Sequence, residues 1–84
     1  MNESPKIMKA IELSLEMNVD KNKILQVFNK VENNPETQFT INEMNIVERY
    51  LFKLIDLCRD FPNDWDLKDE LKRFQYVYTK IQAV

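Results

Sequence analysis

The chain has 84 residues and contains neither glycine nor histidine. Without glycine it lacks the phosphate-binding loops and dinucleotide fingerprints that depend on that residue. Hairpin turns that need positive φ are also disfavoured, which argues against an all-β fold. The absence of histidine excludes catalysis and metal binding by imidazole. These absences leave a small all-α protein as the expected class.

Cysteine and long apolar runs are also scarce, and there is no excess of positive charge. The single cysteine cannot form an internal disulfide, and no apolar run exceeds three residues, so a transmembrane helix is not expected. The first residues lack the basic and apolar stretches of a signal peptide. We therefore expect a cytoplasmic protein, in the host-cell cytoplasm if it is viral. The net charge of −2 argues against DNA as a partner, and we expect no membrane partner.

Apolar spacing and local start signals predict two N-terminal helices, over about 5–17 and 21–32. Ser4 and Pro5 match a helix cap and the first helical position. Either Asn18 or Asp20 caps the second helix, and it remains open whether the two helices are separate or one bent helix. The first helix has apolar residues every four positions, at Ile7, Ile11 and Leu15. At residues 33–35 the sequence Asn-Asn-Pro ends the second helix, because asparagine tolerates the left-handed conformation and proline blocks continuation.

The second half of the chain predicts a long antiparallel helical hairpin, over about 41–61 and 65–82. Thr40 and Glu43 match a capping box at its start. Pro62 ends the first helix, and Asn63 or Asp64 caps the second. Two long helices joined by so few residues must lie antiparallel. With one or two N-terminal helices covering the hairpin, we expect three or four helices in one all-helical domain, residues 1–84.

Three-four spacing defines the apolar seam of this hairpin. Its expected members on the first helix are Met44, Val47, Leu51, Leu54, Cys58 and Phe61. Those on the second are Leu67, Leu71, Phe74, Tyr78 and Ile81. Cys58 is interpreted as a small buried apolar residue, because no histidine is present to activate its thiol.

Two clusters of cations and tyrosines are the candidate binding residues. They are Arg49, Tyr50 and Lys53 on the third helix, and Arg73, Tyr76 and Lys80 on the fourth. A ring beside a cation suits a nucleobase and its phosphate, and it suits a protein interface equally well. The alternative is an ordinary solvated helix face.

Trp65 lies near the expected hairpin turn, where it either packs over the hairpin end or is exposed and anchors a partner. The aspartates around it lack the spacing of a calcium loop, so we interpret them as solvated charges and helix caps. Asp69 and Arg73 are spaced for a helical ion pair. No catalytic residue, metal ligand or cofactor is identified.

Residues 40–84 resemble the helical hairpin of phage anti-CBASS proteins, which are small helical sponges for cyclic oligonucleotides. The residues that carry the resemblance are the run Leu54 to Cys58, Pro62, Leu67, Leu71, the run Tyr76 to Tyr78, and Ile81. The resemblance implies a homo-oligomer that binds cyclic oligonucleotide signals without hydrolysing them. It assigns no individual binding residue.

Two functions are therefore expected. The first is a small non-enzymatic binding protein, a phage or mobile-element counter-defence or regulatory inhibitor that acts by stoichiometric protein–protein binding. Its partner would be a host protein or a second copy of the chain. The alternative is the homo-oligomeric sponge for cyclic oligonucleotide immune signals. An enzyme is disfavoured because the usual catalytic residues and loops are missing.

Overall fold

The computed structural model describes residues 4–81, of which 79% are helical. Its helices are α1 (Pro5–Met17), α2 (Lys21–Asn33), α3 (Ile41–Asp60) and α4 (Trp65–Lys80). The expected all-α class and the hairpin-like pairing of α3 with α4 are confirmed. Helix α4 ends at Lys80 rather than at residue 82, which lies outside the described residues. Within those residues, no helix has the length and apolar character needed to cross a membrane.

The junction of α1 and α2 shows that they are two separate helices. Asn18 adopts the left-handed conformation, with φ 56° and ψ 46°, and ends α1. Asp20 is the residue that caps α2, through a 2.8 Å hydrogen bond from the Asn22 N–H. Asparagine is the usual substitute when a left-handed helix end lacks glycine. The prediction of a left-handed asparagine after α2 is wrong, since Asn34 has φ −140°.

The capping box at the start of α3 is confirmed. The Thr40 hydroxyl accepts a hydrogen bond from the Glu43 N–H at 3.1 Å, and the Glu43 carboxylate accepts one from the Thr40 N–H at 2.8 Å. Lys30 of α2 lies 2.9 Å from that carboxylate and also donates to the Gln38 carbonyl. The same group of atoms therefore begins α3 and joins it to α2.

A single apolar core joins the four helices. At its centre the rings of Phe28, Tyr50 and Phe74 pack together, with centroids 4.4–5.7 Å apart in tilted and edge-to-face arrangements. Such geometries are the favourable ones for aromatic pairs. The buried residues around these rings are Ala10, Leu13, Ile24, Val27, Val31, Phe39, Ile46, Val47, Leu51, Leu54 and Val77.

Three apolar residues expected on buried faces are exposed instead. Leu15 is 79% exposed, because a spacing of four residues drifts about 40° around the helix at each step. Phe61 is exposed because it follows the last residue of α3. Tyr78 is exposed because the neighbouring Val77 occupies the buried face of α4 instead. The Tyr78 hydroxyl donates a hydrogen bond to Glu48 near the surface.

Candidate functional site

The connection between α3 and α4 exposes two large aromatic side chains. Trp65 is 71% exposed and Phe61 is 57% exposed. They line an open depression with Asp60, Asp64 and Asp66, and we call these five residues the hairpin tip. The expectation that Trp65 packs over the hairpin end is wrong, because most of its side chain is exposed. The structure agrees with the alternative prediction, in which Trp65 is exposed.

Hydrogen bonds of the two helix ends hold the hairpin tip. The Phe61 N–H donates to the Leu57 carbonyl at 2.8 Å, which closes α3. The Asp64 N–H donates back to the Phe61 carbonyl at 3.1 Å, and the Asp64 carboxylate accepts the Leu67 N–H, which caps α4. The tip aromatics are therefore attached to a short, internally bonded connection.

One cation lies against the exposed indole. Lys68 Nζ is 4.5 Å from the centroid of the Trp65 ring, one turn further along α4. This distance is within the range of a cation–π contact. The lysine thus covers part of one ring face and leaves most of the indole accessible.

The hairpin tip and the helix ends beside it are acidic. Between residues 56 and 69 there are five aspartates, at 56, 60, 64, 66 and 69, and two cations, Arg59 and Lys68, for a formal charge of −3. The whole chain has a formal charge of only −2. Asp64 caps the N-terminus of α4 and Asp66 lies in its first turn, where the helix dipole favours carboxylates. Among the described residues no group of three Cys, Asp or Glu side chains could hold a metal ion.

A groove between α1, α2 and α4 forms a second concave surface. It is lined by the cations Lys6, Lys9 and Arg73, the carboxylates Glu32, Asp66, Asp69 and Glu70, and the core rings of Phe28 and Phe74. Lys6 lies 2.7 Å from a Glu32 oxygen and Lys9 lies 3.0 Å from a Glu70 oxygen. The hydrogen bond from Lys6 lowers the pKa of Glu32. Because carboxylates outnumber cations, this groove has no excess positive charge for a phosphate ligand.

The structure separates the predicted cluster on α3. Arg49 is exposed, and Lys53 forms a 3.0 Å ion pair with Glu16 of α1. The outward placement of Tyr50 is wrong, because position 50 shares the buried face of Val47 and Leu54. Its hydroxyl donates to Glu70 at 2.8 Å, and burial, followed by the Glu70 charge, raises the pKa of Tyr50.

The predicted cluster on α4 does point outward. Arg73, Tyr76 and Lys80 are all exposed, and Arg73 also lines the groove. The Tyr76 hydroxyl donates to Glu36 at 3.1 Å, and this bond raises the pKa of Tyr76. The predicted Asp69–Arg73 pair is absent from the ion pairs of residues 4–81. A binding role for this cluster stays a prediction.

Two residues of the predicted seam behave differently at its end. Cys58 is half-buried rather than fully buried. The three-four spacing predicts Phe61 as the last seam residue, but Phe61 lies beyond α3 and lines the hairpin tip with Trp65, which the spacing does not indicate. Pro62, the next residue, is the signal that could have placed Phe61 beyond the helix.

No protein-family model, curated protein or solved structure matches the chain. The resemblance of residues 40–84 to anti-CBASS proteins therefore stays a prediction, and the site must be interpreted from its own geometry.

Proposed function

We propose that this protein is a non-enzymatic binding protein that inhibits or regulates a partner protein by stoichiometric binding through the hairpin tip. The observation that carries the proposal is the exposure of Phe61 and Trp65, which line one open depression on an internally bonded turn. Tryptophan is the residue type most enriched among interface hot spots. Two exposed rings on one short connection favour recognition of another protein.

The chemistry of the hairpin tip defines the kind of partner. The two rings would enter an apolar pocket, and the carboxylates around them would face a basic rim. Complementary charge of this kind raises the association rate and selects against acidic surfaces. The partner is therefore a protein with an apolar pocket bordered by lysine or arginine.

The size of the hairpin tip sets a further requirement. A stable interface buries about 800 Å² on each partner, which is more than the connection at residues 60–66, with the hairpin tip, can supply. The partner must also contact the sides of α3 or α4 next to the tip. The exposed Arg73, about 12 Å along α4 from Trp65, is then a candidate for the polar edge of the interface, whereas Lys80 lies at the far end of α4.

The biological setting we propose is a phage or mobile-element inhibitor that acts on host machinery in the cytoplasm. The small size and the exposed aromatic tip support stoichiometric binding. The alternative, a sponge for cyclic oligonucleotides, has weaker support, because the groove that could enclose a small ligand contains more carboxylates than cations. The two functions are separable by experiment.

The test is affinity capture from host lysate with matched variants of the tip. Trp65→Ala should weaken binding of the captured partner about thirtyfold, since hot-spot truncations cost about 2 kcal/mol or more. Leu15→Ala is the control, because Leu15 is at least as exposed but lies on α1, away from the tip. The purified partner should form a complex of fixed stoichiometry by light scattering.

Charge and ligand controls complete the test. Asp60→Asn and Asp66→Asn should slow association and reduce its dependence on salt, while the Asp64 cap is kept. A partner that binds the Trp65→Ala variant as tightly as the original chain would contradict the proposal. So would a rise in melting temperature with cyclic di- or trinucleotides when no protein partner is captured, since only ligands of the folded state stabilise it.

A further inference from the structure

Helix α3 carries a second exposed apolar feature, separate from the hairpin tip. Phe52 and Ile55 are 55% and 41% exposed, although both are large apolar residues. Glu48 precedes them and Arg59 follows them at the same four-three-four spacing, so the four residues share one face of the helix. We call Glu48, Phe52, Ile55 and Arg59 the outer stripe.

Contacts on either side of α3 locate the outer stripe. Glu48 accepts a hydrogen bond from the Tyr78 hydroxyl of α4, whereas Lys53 on another face pairs with Glu16 of α1. The stripe therefore borders α4 and faces away from the contact of α3 with α1. Its two apolar side chains lie outside the core that the four helices share.

We propose that a second copy of this chain covers the outer stripe, with the two α3 helices packed antiparallel about a twofold axis. The order of charges in the stripe is self-complementary in this arrangement. Phe52 of one copy lies opposite Ile55 of the other, and Glu48 lies opposite Arg59. A parallel pairing would place each charge opposite its own equivalent, and such like-charge contacts are costly.

Neighbouring charges favour the same antiparallel arrangement. Arg49 and Asp56 lie seven residues apart, next to the outer stripe, and both are exposed. In the antiparallel register they approach each other within about 3 Å along the helix axis. Asp56 already pairs with Arg59 in the single chain. Each end of the interface would therefore combine two cations and two carboxylates around a central apolar contact.

A closed twofold interface explains why these residues are apolar on an otherwise charged helix face. An isologous dimer uses the same patch on both copies, so one stripe supplies both sides. Small domains often gain stability from such association. This proposal does not depend on the proposed function, because Trp65 is not part of the outer stripe.

The first experiment measures oligomeric state by analytical ultracentrifugation over a range of concentrations. The original chain should form a dimer, and Phe52→Glu should abolish it by placing two carboxylates at the centre of the interface. Leu15→Glu is the matched control and should remain dimeric, since Leu15 lies on α1 and is even more exposed. Circular dichroism of both variants should retain the helical spectrum.

Charge reversal tests the antiparallel register. Glu48→Arg and Arg59→Glu should each raise the dimer Kd about tenfold or more, because each places like charges together at two symmetric positions. The double variant restores opposite charges and should return the Kd to within about threefold of the original value. No such recovery is expected from a parallel or unrelated interface.

Three results would overturn the proposal. They are a chain that remains monomeric up to its solubility limit, a dimer that survives Phe52→Glu, and a double charge reversal that fails to recover. A Trp65→Ala variant that still dimerises but loses its protein partner would separate the two proposals.

Discussion

Replacing Tyr50 with phenylalanine removes one hydroxyl group from the centre of the protein and leaves the packed ring in place. The ring of Tyr50 is fully buried against Phe28 and Phe74. Its hydroxyl donates to Glu70 at 2.8 Å, and Glu70 in turn accepts from Lys9 at 3.0 Å. The substitution therefore tests a hydrogen-bonded connection between α3, α4 and α1 without opening a large cavity.

The expected cost follows from the exposure of the acceptor. A hydrogen bond to a charged group contributes about 1.5–3 kcal/mol to the free energy of unfolding. The Glu70 side chain is 24% exposed, so water can replace part of the lost bond. We expect Tyr50→Phe to lower the free energy of unfolding by about 1–2 kcal/mol, and each kcal/mol corresponds to about 4–8 °C in Tm for a domain of this size.

The assay is urea unfolding followed by far-ultraviolet circular dichroism. Tyr76→Phe is the matched control, because it deletes the same atom from an exposed hydroxyl bonded to Glu36, and it should leave stability nearly unchanged. A double-mutant cycle with Glu70→Ala should show coupling between positions 50 and 70. A neutral Tyr50→Phe, or a loss equal to that of Tyr76→Phe, would refute the reasoning.

Two predictions concern pH, measured by the same unfolding experiment. Burial and Glu70 raise the pKa of Tyr50 in the folded state. Tyr50 therefore contributes its full share to the free energy of unfolding below the ordinary pKa of 10.0, and this share is lost as the pH rises above it. Tyr50→Phe should lose less stability above pH 10, and an unchanged alkaline profile would contradict this. Burial acts to raise the pKa of Glu43, but the Thr40 N–H and Lys30 outweigh it, so the net pKa is lowered from 4.5. Glu43 therefore contributes fully to the free energy of unfolding above pH 4.5, and this contribution is lost as the pH falls below it. Glu43→Gln should make the fall in stability at acid pH less steep. An equally steep fall would count against the bonds of Glu43 to Thr40 and Lys30.

The helix boundaries could be predicted because the signals that set them are local. The capping box of Thr40 and Glu43 involves residues three apart, and its geometry is the same in any fold. Pro62 likewise ends α3 through its own backbone chemistry. Such features need no knowledge of the rest of the chain, and they gave the correct fold class.

The rotation of each helix about its axis was harder to predict, because it depends on neighbours distant in sequence. The sequence pattern predicts position 50 in an outward cluster with Arg49 and Lys53, yet the aromatic neighbours Phe28 and Phe74 make it a core position. Likewise, the spacing predicts Tyr78 in the core, but Val77 is the buried residue there because of how α4 packs on its neighbours. A three-four pattern permits two adjacent faces, and only the packed partner selects one.

The candidate site was predicted in part. The sequence places Trp65 at the hairpin turn, either packed or exposed, and contains no local signal that decides between these states. Whether Trp65 is packed depends on whether α1 or α2 reaches the end of the hairpin. Neither helix lines the depression beside Trp65, which is formed by residues 60–66. Exposure of Phe52 and Ile55 was not predicted, because it too is decided by which faces the other helices cover.

The exposed indole also determines how the molecule can be observed. Trp65 is the only tryptophan in the chain, and it lies in largely aqueous surroundings before any unfolding occurs. Its fluorescence emission should therefore be red-shifted in the native protein and should change little in denaturant. The same property makes Trp65 an intrinsic fluorescent probe of binding at the hairpin tip. A blue shift of its emission would show that an apolar surface of a partner has covered the indole.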